Sequence, residues 1–393
     1  MGATYTPREM LDKLVSFPTV SSASNLDLIH FVRDYLAGHG IESHITPDAT
    51  GEKANLHALV GPNAPGGVVL SGHTDVVPVV GQEWSTDPWL VTERDGKLYG
   101  RGTCDMKGFQ ALALALVPQM LEAGMTRPIQ LALSYDEEVG CIGAPFMIER
   151  MTQEMPPASA VIVGEPSMME VVTGHKGSVG FFTEVHGFEV HSSLCHTGVS
   201  AVMAAARLVE WHRLRQQECE AAVTDMPADH PARAYEPPFT TLHVGTIKGG
   251  TASNITAKFC RFSTDIRFVP GEDEGSWNDR YRAFVNEVQA DMQAIHPDTR
   301  IDVIERLSNP GCRQEPAETA AAEQLCRSLT GDNGHHVVSY GTEAGQFQDG
   351  GYSTVICGPG SIEQAHQPDE FISVAQFEAG EAFLHRLIAR LAA

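Results

Sequence analysis

Residues 68–78 read Val-Val-Leu-Ser-Gly-His-Thr-Asp-Val-Val-Pro. The stretch begins as an apolar, β-branched run, which favours a buried strand, and it ends with His73 and Asp75 two residues apart. Because positions i and i+2 of an extended chain point to the same side, such a strand would carry both side chains out of its carboxyl end together. Open α/β sheets bind their ligands at that edge. The pair indicates either a metal-binding histidine oriented by a carboxylate or a hydrogen-bonded loop, and further ligands must decide.

The flanking chain alternates helical patterns with short apolar strands, which predicts an α/β layer architecture. The predicted helices cover residues 6–20, 26–39, 109–123, 315–329 and 374–391. The predicted strands cover residues 41–45, 56–60, 68–70, 129–133, 160–163, 337–340 and 354–357. The segment 78–95 is rich in Gly, Pro and Trp and is expected to be irregular.

Carboxylates follow the predicted strands of the first half. Asp105 lies in the glycine-rich run 100–108, just ahead of a predicted helix, and Asp136-Glu137-Glu138 and Glu165 each follow an apolar strand. Adjacent carboxylates at the end of a buried strand would repel one another strongly unless a cation lies between them, although an acidic solvated turn is the alternative. The sequence thus predicts four strand ends that carry His73, Asp105, Glu138 and Glu165.

The pattern changes from about Gly177. Strands at 179–185, 240–247, 257–268 and 301–305 and helices at 199–215 and 275–295 follow one another in the order βαββαβ. That order is the ferredoxin-like split motif. We therefore expect an inserted α+β domain at residues 178–308, and a main domain built from residues 1–177 and 309–393.

Composition excludes several classes of partner. Fifty acidic against 27 basic residues give a formal net charge of −23, which argues against nucleic acid and anionic membranes. The first ten residues show no signal-peptide pattern, and no apolar run is long enough to span a bilayer, so we expect a cytoplasmic protein. The eight dispersed cysteines are expected to be reduced thiols without a disulfide.

Taken together, these motifs resemble the aminoacylase/carboxypeptidase family of co-catalytic zinc hydrolases. They occur in the family's order and nearly span the chain: SGHTDVVP at 71–78, GRGTCDMKG at 100–108, DEEVG at 136–140, GEP at 164–166 and QAHQPDE at 364–370. The stretches YGTEAGQF (340–347) and CGPGSIEQAHQPDEF (357–371) are most similar to the acetylornithine deacetylase subgroup. The resemblance implies a three-layer, mixed-sheet zinc-peptidase-like domain with the inserted domain acting in dimerisation and as a lid.

The resemblance also implies roles for single residues. His73 and Glu165 would bind one Zn²⁺, His366 and Glu138 a second, and Asp105 would bridge the two ions. Imidazole and carboxylate ligands suit Zn²⁺, with Co²⁺ as a substitute. The implied catalytic residues are Asp75, which would hold the His73 ring, Glu137 as general base, and His191, which would reach the partner subunit's site to stabilise an oxyanion. A non-proline cis peptide bond is implied at Asp105–Met106.

Substrate-binding roles follow from the same likeness. Asn254 and Arg267 match positions that hold the substrate carboxylate, and Thr342 lies in the subgroup's C-terminal stretch. A turn residue and a surface ion pair are the structural alternatives for Asn254 and Arg267. Glu343 or the 78–95 segment are the candidates for contacting a substrate ammonium group, without a firm choice between them.

The implied activity is removal of the acetyl group from an N-acetyl amino acid by a homodimeric enzyme. N2-acetyl-L-ornithine is the expected substrate, which would place the enzyme in arginine biosynthesis. Related N-acyl-amino-acid deacylases, desuccinylases and dipeptidases share the whole metal site, so the motifs do not choose among them. A non-catalytic scaffold with the same fold would be expected to have lost a ligand or the base, and none is missing.

Overall fold

The computed structural model describes residues 2–272 and 274–393. The chain forms two compact units. The first contains the chain up to Gly174 together with Cys312–His336 and Thr342–Ala393, and the second contains His175–Gly311 and Val337–Gly341. The predicted insertion at 178–308 falls within the second unit.

The helices and strands are as follows. The helices are α1 (Pro7–Val15), α2 (Leu26–Gly38), α3 (Lys107–Ala115), α4 (Val117–Glu122), α5 (Ala144–Glu154), α6 (Ala201–Ala222), α7 (Glu274–Ile295), α8 (Ala321–Thr330), α9 (Ala344–Asp349) and α10 (Val374–Ala392). The strands are β1 (Ser43–Pro47), β2 (Ala54–Val60), β3 (Gly67–His73), β4 (Thr92–Arg94), β5 (Lys97–Tyr99), β6 (Ile129–Ser134), β7 (Ala158–Pro166), β8 (Val172–His175), β9 (Gly177–His186), β10 (Thr241–Gly249), β11 (Phe259–Phe268), β12 (Arg300–Asn309), β13 (His336–Val338), β14 (Thr354–Gly358) and β15 (Phe371–Ser373).

The main sheet of the first unit has eight strands in the order β1-β2-β6-β3-β7-β14-β8-β13. Its centre is parallel, because β3 pairs with β6 and β7 in the same direction, and β7 does so with β14. The carboxyl ends of these four strands therefore meet at one edge, where His73 of β3 aligns with Ser134 of β6. Because β3 is buried along its whole length, it reads as a continuous apolar run rather than as an alternating one.

Helices cover both faces of this sheet. The buried helix α3 packs against β3, β7, α1 and α10, whereas α5 contacts β2 and β6 and lies beside α9. A three-layer mixed α/β domain results, which confirms the predicted fold class. A separate three-stranded sheet, β15-β5-β4, was not predicted from the sequence, because its strands are only three residues long.

Some predicted elements needed correction. The helix expected over 109–123 is interrupted at Leu116, and Pro118 lies in the first turn of the shorter α4 that follows. The helix α5 was missed, and α8 begins six residues later than predicted. Asp105 does not lie at the end of a strand of the main sheet, but in a turn that leads into α3.

The second unit contains an antiparallel sheet in the order β10-β11-β9-β12. Along the chain its elements are β9, α6, β10, β11, α7 and β12, which is the predicted βαββαβ order. The inner residues of β11 alternate with outer ones, and they share an apolar core with α6 and α7 that includes Trp211 and Tyr281. The unit therefore has its own hydrophobic core.

All eight cysteines are free thiols. Among the helices of the described residues, none combines the length and hydropathy that crossing a bilayer requires.

Candidate metal centre

His73 ends β3 at the carboxyl edge of the main sheet, and its side chain is buried. Its Nδ1 lies 2.9 Å from the backbone carbonyl oxygen of Asp75. Since a carbonyl oxygen only accepts, Nδ1 must donate, and Nε2 is left to face the site. Nε2 lies 2.9 Å from Asp105 Oδ1 and 3.5 Å from Glu165 Oε1.

His366 approaches Asp105 from the other side. Its Nε2 is 3.2 Å from Asp105 Oδ2 and 2.9 Å from Glu138 Oε2. The two oxygens of Asp105 therefore face two different imidazoles, which is the arrangement that a bridging carboxylate needs. The Asp105–Met106 peptide bond is cis, as the sequence resemblance implied. The structure thus brings all five predicted ligands together: His73, Asp105, Glu138, Glu165 and His366.

Glu137 lies beside these residues. Its carboxylate falls in a group with His73 and Glu165 whose candidate ligand atoms are all within 4.8 Å of one another, and His73, Asp105 and Glu138 form a second such group. The thiol of Cys141 donates to Glu137 Oε1 at 3.3 Å. A general base next to the ligands is therefore geometrically available.

The electrostatics of the cluster favour a cation. Burial raises the pKa of Glu137 to about 8 and that of Glu138 to about 7, and neighbouring carboxylates add to both shifts. Although burial opposes the change, hydrogen bonds from His366 and His73 hold the pKa of Asp105 below its usual range. Hydrogen bonds to Asp105 and Glu138 raise the pKa of His366 to about 10. Protons on the imidazoles thus offset the carboxylates, and divalent cations would replace those protons.

The donor set also fits metal ions by type. Glu165 Oε1 is buried and accepts no hydrogen bond from any residue that the structure describes. Two imidazoles and several carboxylates are ligands that suit Zn²⁺ and similar first-row ions. A buried acceptor without a donor is costly unless a cation or a water satisfies it. The residues present therefore fit a metal centre.

Asp75 differs from its expected role. Its carboxylate is 3.7 Å from His73 Nδ1, too far for a hydrogen bond, so the ring is held by the Asp75 backbone carbonyl instead. The carboxylate accepts from the Ser21 hydroxyl at 2.7 Å and from the backbone N–H groups of Glu137 and Glu138 at 3.1 and 3.3 Å. Asp75 therefore positions the carboxylate segment as well as the imidazole.

A buried ion pair that sequence reasoning missed supports the Asp105 loop. Glu370 Oε2 accepts from Arg101 Nη1 at 2.7 Å and from the backbone N–H of Gly102 at 3.0 Å. Oε1 accepts from the backbone N–H groups of Cys104 and Asp105 at 2.9 and 3.0 Å. Both charged side chains are only 1% exposed. The carboxylate of Glu370 thus holds the backbone that carries Asp105.

The same network reaches the second histidine. Arg101 Nη2 donates to Gln82 Oε1 at 2.6 Å, and Gln82 Nε2 donates to the backbone carbonyl of His366 at 2.9 Å. Glu370 follows His366 by four residues, so both ends of the His366 segment connect to the Asp105 loop. The sequence held no local signal for this pairing, because Arg101 and Glu370 are 269 residues apart.

Glu343 and Thr342 are buried in the first unit, next to the strand ends. The Glu343 carboxylate accepts hydrogen bonds from Ser71 at 2.5 Å and from Ser134 at 2.7 Å. The Thr342 hydroxyl accepts from the backbone N–H of Ala344, the first residue of α9, at 3.1 Å. The Glu343 carboxylate is therefore already hydrogen-bonded to two strands of the sheet, and Glu343 is a poor candidate for contacting a substrate ammonium group.

The remaining predicted residues lie in the second unit. His191 is exposed, and its Nδ1 accepts from the Ser193 backbone N–H at 3.2 Å, so the proton of the neutral ring resides on Nε2. The side chain of Asn254 is exposed, and its backbone carbonyl accepts from Ser192 N–H at 2.8 Å. Arg267 forms an ion pair with Asp265 at 3.1 Å.

Comparisons with known proteins identify the family and the fold of this chain. The model of "Peptidase family M20/M25/M40" matches residues 69–390. An acetylornithine deacetylase from Myxococcus xanthus is 34% identical over 391 residues, covering 97% of this chain and 96% of that protein. Another from Pasteurella multocida (strain Pm70) is 33% identical over 398 residues, with the same coverage of 97% and 96%. The structure of an M20 family metallo-carboxypeptidase from Sulfolobus solfataricus has a TM-score of 0.73 at 17% identity and covers 99% of this chain and 100% of its own, which shows a shared fold.

Proposed function

This chain belongs to peptidase family M20/M25/M40, and from that premise we propose that it removes the acetyl group from N2-acetyl-L-ornithine to give L-ornithine and acetate. The chain is a hydrolytic enzyme that acts on amides. The observation that carries the proposed chemistry is the contact of one imidazole with each oxygen of Asp105, with Glu165 and Glu138 beside those two imidazoles. Support for the substrate comes from the two acetylornithine deacetylases that match nearly the whole chain. This substrate would place the enzyme in arginine biosynthesis.

We propose that the centre holds two Zn²⁺ ions, for which Co²⁺ can substitute. His73 and Glu165 would hold one ion, His366 and Glu138 the other, and Asp105 would bridge them. When bound, such a pair supplies Lewis acidity that polarises the amide carbonyl and lowers the pKa of water. The His73 carbonyl accepts a hydrogen bond from the Gln110 side-chain amide, and its Nδ1 is held by Asp75, so the ring is fixed before any ion arrives.

Glu137 is the proposed general base. It would take a proton from the attacking water and deliver it to the leaving amine nitrogen, so that the amide C–N bond breaks and a free amine forms. Burial raises the pKa of Glu137 to about 8, and cations bound nearby would lower it again, which leaves the carboxylate ionised and able to accept the proton. Its backbone N–H bond to Asp75 keeps it at the strand end.

The second unit supplies three of the remaining proposed groups, His191, Arg267 and Asn254. We propose that the enzyme is a homodimer through this unit, and that the exposed His191, with its proton on Nε2, donates to an oxyanion in the partner subunit's site. Arg267 and Asn254 would bind the substrate carboxylate, for which the guanidinium fork is suited. Thr342, a buried residue of the first unit, is proposed as a further substrate contact from the sequence resemblance alone.

The decisive test combines a base variant with a substrate panel. Glu137→Gln is expected to lose about 10²–10⁴-fold in kcat while metal content stays unchanged, because only the proton acceptor is removed. Glu122→Gln, an exposed glutamate on α4, is the matched control and should keep full activity. Loss of bound metal with retained turnover in Glu137→Gln would contradict the assignment of the base.

Substrate choice needs its own measurement. The specificity constants of N-acetylornithine, N-acetylcitrulline, N-acetylmethionine, an N-succinyl amino acid and a dipeptide should be compared on the metal-loaded enzyme. N-acetylornithine should give the highest value. A dipeptide or succinyl substrate that exceeds it would replace the proposed activity with a dipeptidase or desuccinylase, while leaving the hydrolytic chemistry in place.

A further inference from the structure

Three side chains that could bind a metal converge away from the proposed catalytic centre. His44 of β1 and His57 of β2 are directly paired across the antiparallel strands, so both project from the same face of the sheet. Their rings are stacked, with centroids 5.0 Å apart and planes inclined by 6°. Glu154, the last residue of α5, reaches the same point. All three residues belong to the first unit.

The distances match those of a coordinated ion. Glu154 Oε2 lies 3.3 Å from His44 Nδ1 and 3.2 Å from His57 Nε2. At metal–ligand bonds of about 2.0–2.2 Å, neighbouring ligands of a tetrahedral ion are about 3.3–3.6 Å apart. The candidate ligand atoms of the three residues all lie within 4.8 Å of one another. One ion could therefore contact all three, with a water as the fourth ligand.

The carboxylate is oriented for this contact. Glu154 Oε1 accepts two hydrogen bonds from Arg150, at 2.9 and 2.6 Å, which leaves Oε2 facing the two imidazoles. Hydrogen bonds to the distal oxygen commonly fix a ligating carboxylate in this way. The positive charge of Arg150 opposes a cation, but the carboxylate that separates them offsets part of that repulsion.

The charge state of the His57 imidazole is also compatible with metal binding. Its side chain is fully buried, and this burial lowers its pKa to about 4. The ring is therefore neutral at pH 7; its proton lies on Nε2, which faces the Glu154 carboxylate, and must shift to Nδ1 before Nε2 can bind an ion.

We propose that His44, His57 and Glu154 form a second, separate cation site that takes one Zn²⁺ or a similar first-row divalent ion. Two imidazoles and one carboxylate select this class of ion over Mg²⁺ and Ca²⁺, which prefer oxygen ligands. The bound ion ties the edge strand β1 and its neighbour β2 to the end of α5. Its role is structural, because the site is built on the face of the sheet rather than at the strand ends.

The experiment counts metal on the full-length, zinc-loaded enzyme. Protein is dialysed against a series of buffered free Zn²⁺ concentrations, and bound zinc per chain is measured by mass spectrometry. At the same free Zn²⁺, wild type should bind one equivalent of zinc more than His44→Ala or Glu154→Gln. The affinity for this equivalent should be at least about tenfold lower in each variant than in wild type. His30→Ala, which removes an exposed imidazole of α2, should behave as wild type.

Turnover checks that the variants are folded. Neither His44 nor Glu154 belongs to the proposed catalytic machinery, so both variants should keep wild-type turnover. Two results would overturn the site: no additional equivalent on wild type at saturating Zn²⁺, or an additional equivalent that remains in both variants and is therefore surface binding elsewhere.

Discussion

Replacing Glu370 by glutamine should lower the stability and the metal affinity of the enzyme more than removing an exposed charge would. The reason is that the Glu370 carboxylate accepts from four hydrogen-bond donors and has a buried counter-ion. In Glu370→Gln, the amide oxygen can still accept from two of these donors. The amide NH₂ would then face two other donors, Arg101 Nη1 and the Gly102 N–H. The guanidinium of Arg101 would be left without its carboxylate partner at 1% exposure.

The magnitude follows from that burial. Removing one partner of a buried ion pair costs about 3–5 kcal/mol, since the other charge stays desolvated. The free energy of unfolding, measured by urea denaturation of the metal-free protein, should fall by that amount. Because Glu370 also holds the backbone of Asp105, the affinity for metal at the catalytic centre should fall by about 10–100-fold, as outer hydrogen-bonding partners of metal ligands typically do.

Two further variants separate this effect from general damage. Glu93→Gln breaks an exposed ion pair with Arg8 at 3.6 Å and should change stability by no more than about 0.5 kcal/mol. The double variant Arg101→Met with Glu370→Gln removes the unpaired charge and should recover part of the lost stability, which a double-mutant cycle reports as a coupling energy. If Glu370→Gln keeps wild-type stability and metal affinity, the ion pair does not position the Asp105 loop.

Three other predictions follow from single contacts. Burial lowers the pKa of His212 to about 4. The unfolded state, with a pKa near its usual value of about 6.5, therefore binds more protons between these values, and the free energy of unfolding should fall by up to about 3 kcal/mol as pH drops through that window. His212→Gln should flatten this slope in urea denaturation at a series of pH values, and an unchanged slope would contradict the assignment. A Cβ at Gly164 would lie 2.0 Å from Phe109 Cδ1, so Gly164→Ala should lower the free energy of unfolding by about 1–3 kcal/mol, whereas Gly245→Ala, with its nearest atom at 3.5 Å, should not. Glu343→Gln should leave the ratio of specificity constants for N-acetylornithine and N-acetylmethionine unchanged, because that side chain is bound to the sheet; a changed ratio would restore Glu343 as a substrate contact.

Much of the fold could be predicted because its signals are local. A continuous apolar run predicts the buried strand β3, and periodicity alone predicts the βαββαβ unit. The missed elements had weaker signals: the strands β4, β5 and β15 are too short for an alternating pattern, and α5 follows directly on the acidic turn. The break at Leu116 depends on where Pro118 falls in a run that is apolar on both sides.

Most of the candidate ligands could be predicted from the sequence, but the residues that hold them in position could not. His73, Glu138 and Glu165 could be predicted from strand ends, since sheet topology brings the carboxyl ends of parallel strands together, whereas His366 came from the family resemblance and Asp105 lies in a turn instead. The Arg101–Glu370 pair depends on a contact across 269 residues, and its members look like ordinary surface charges in a linear sequence. Arg101 and Glu370 can hold the Asp105 loop because they are buried together, and their burial is visible only in the folded chain.

Asp75 shows how one position serves two parts of the centre. Its backbone carbonyl fixes the protonated nitrogen of His73, while its carboxylate accepts the backbone N–H groups of Glu137 and Glu138. Asp75 therefore contacts both the strand that ends in His73 and the turn that carries Glu137, the proposed base. A longer or shorter spacing between His73 and Asp75 would keep one of these contacts and lose the other. The His-x-Asp spacing therefore sets the position of His73, a proposed ligand, relative to Glu137, the proposed base.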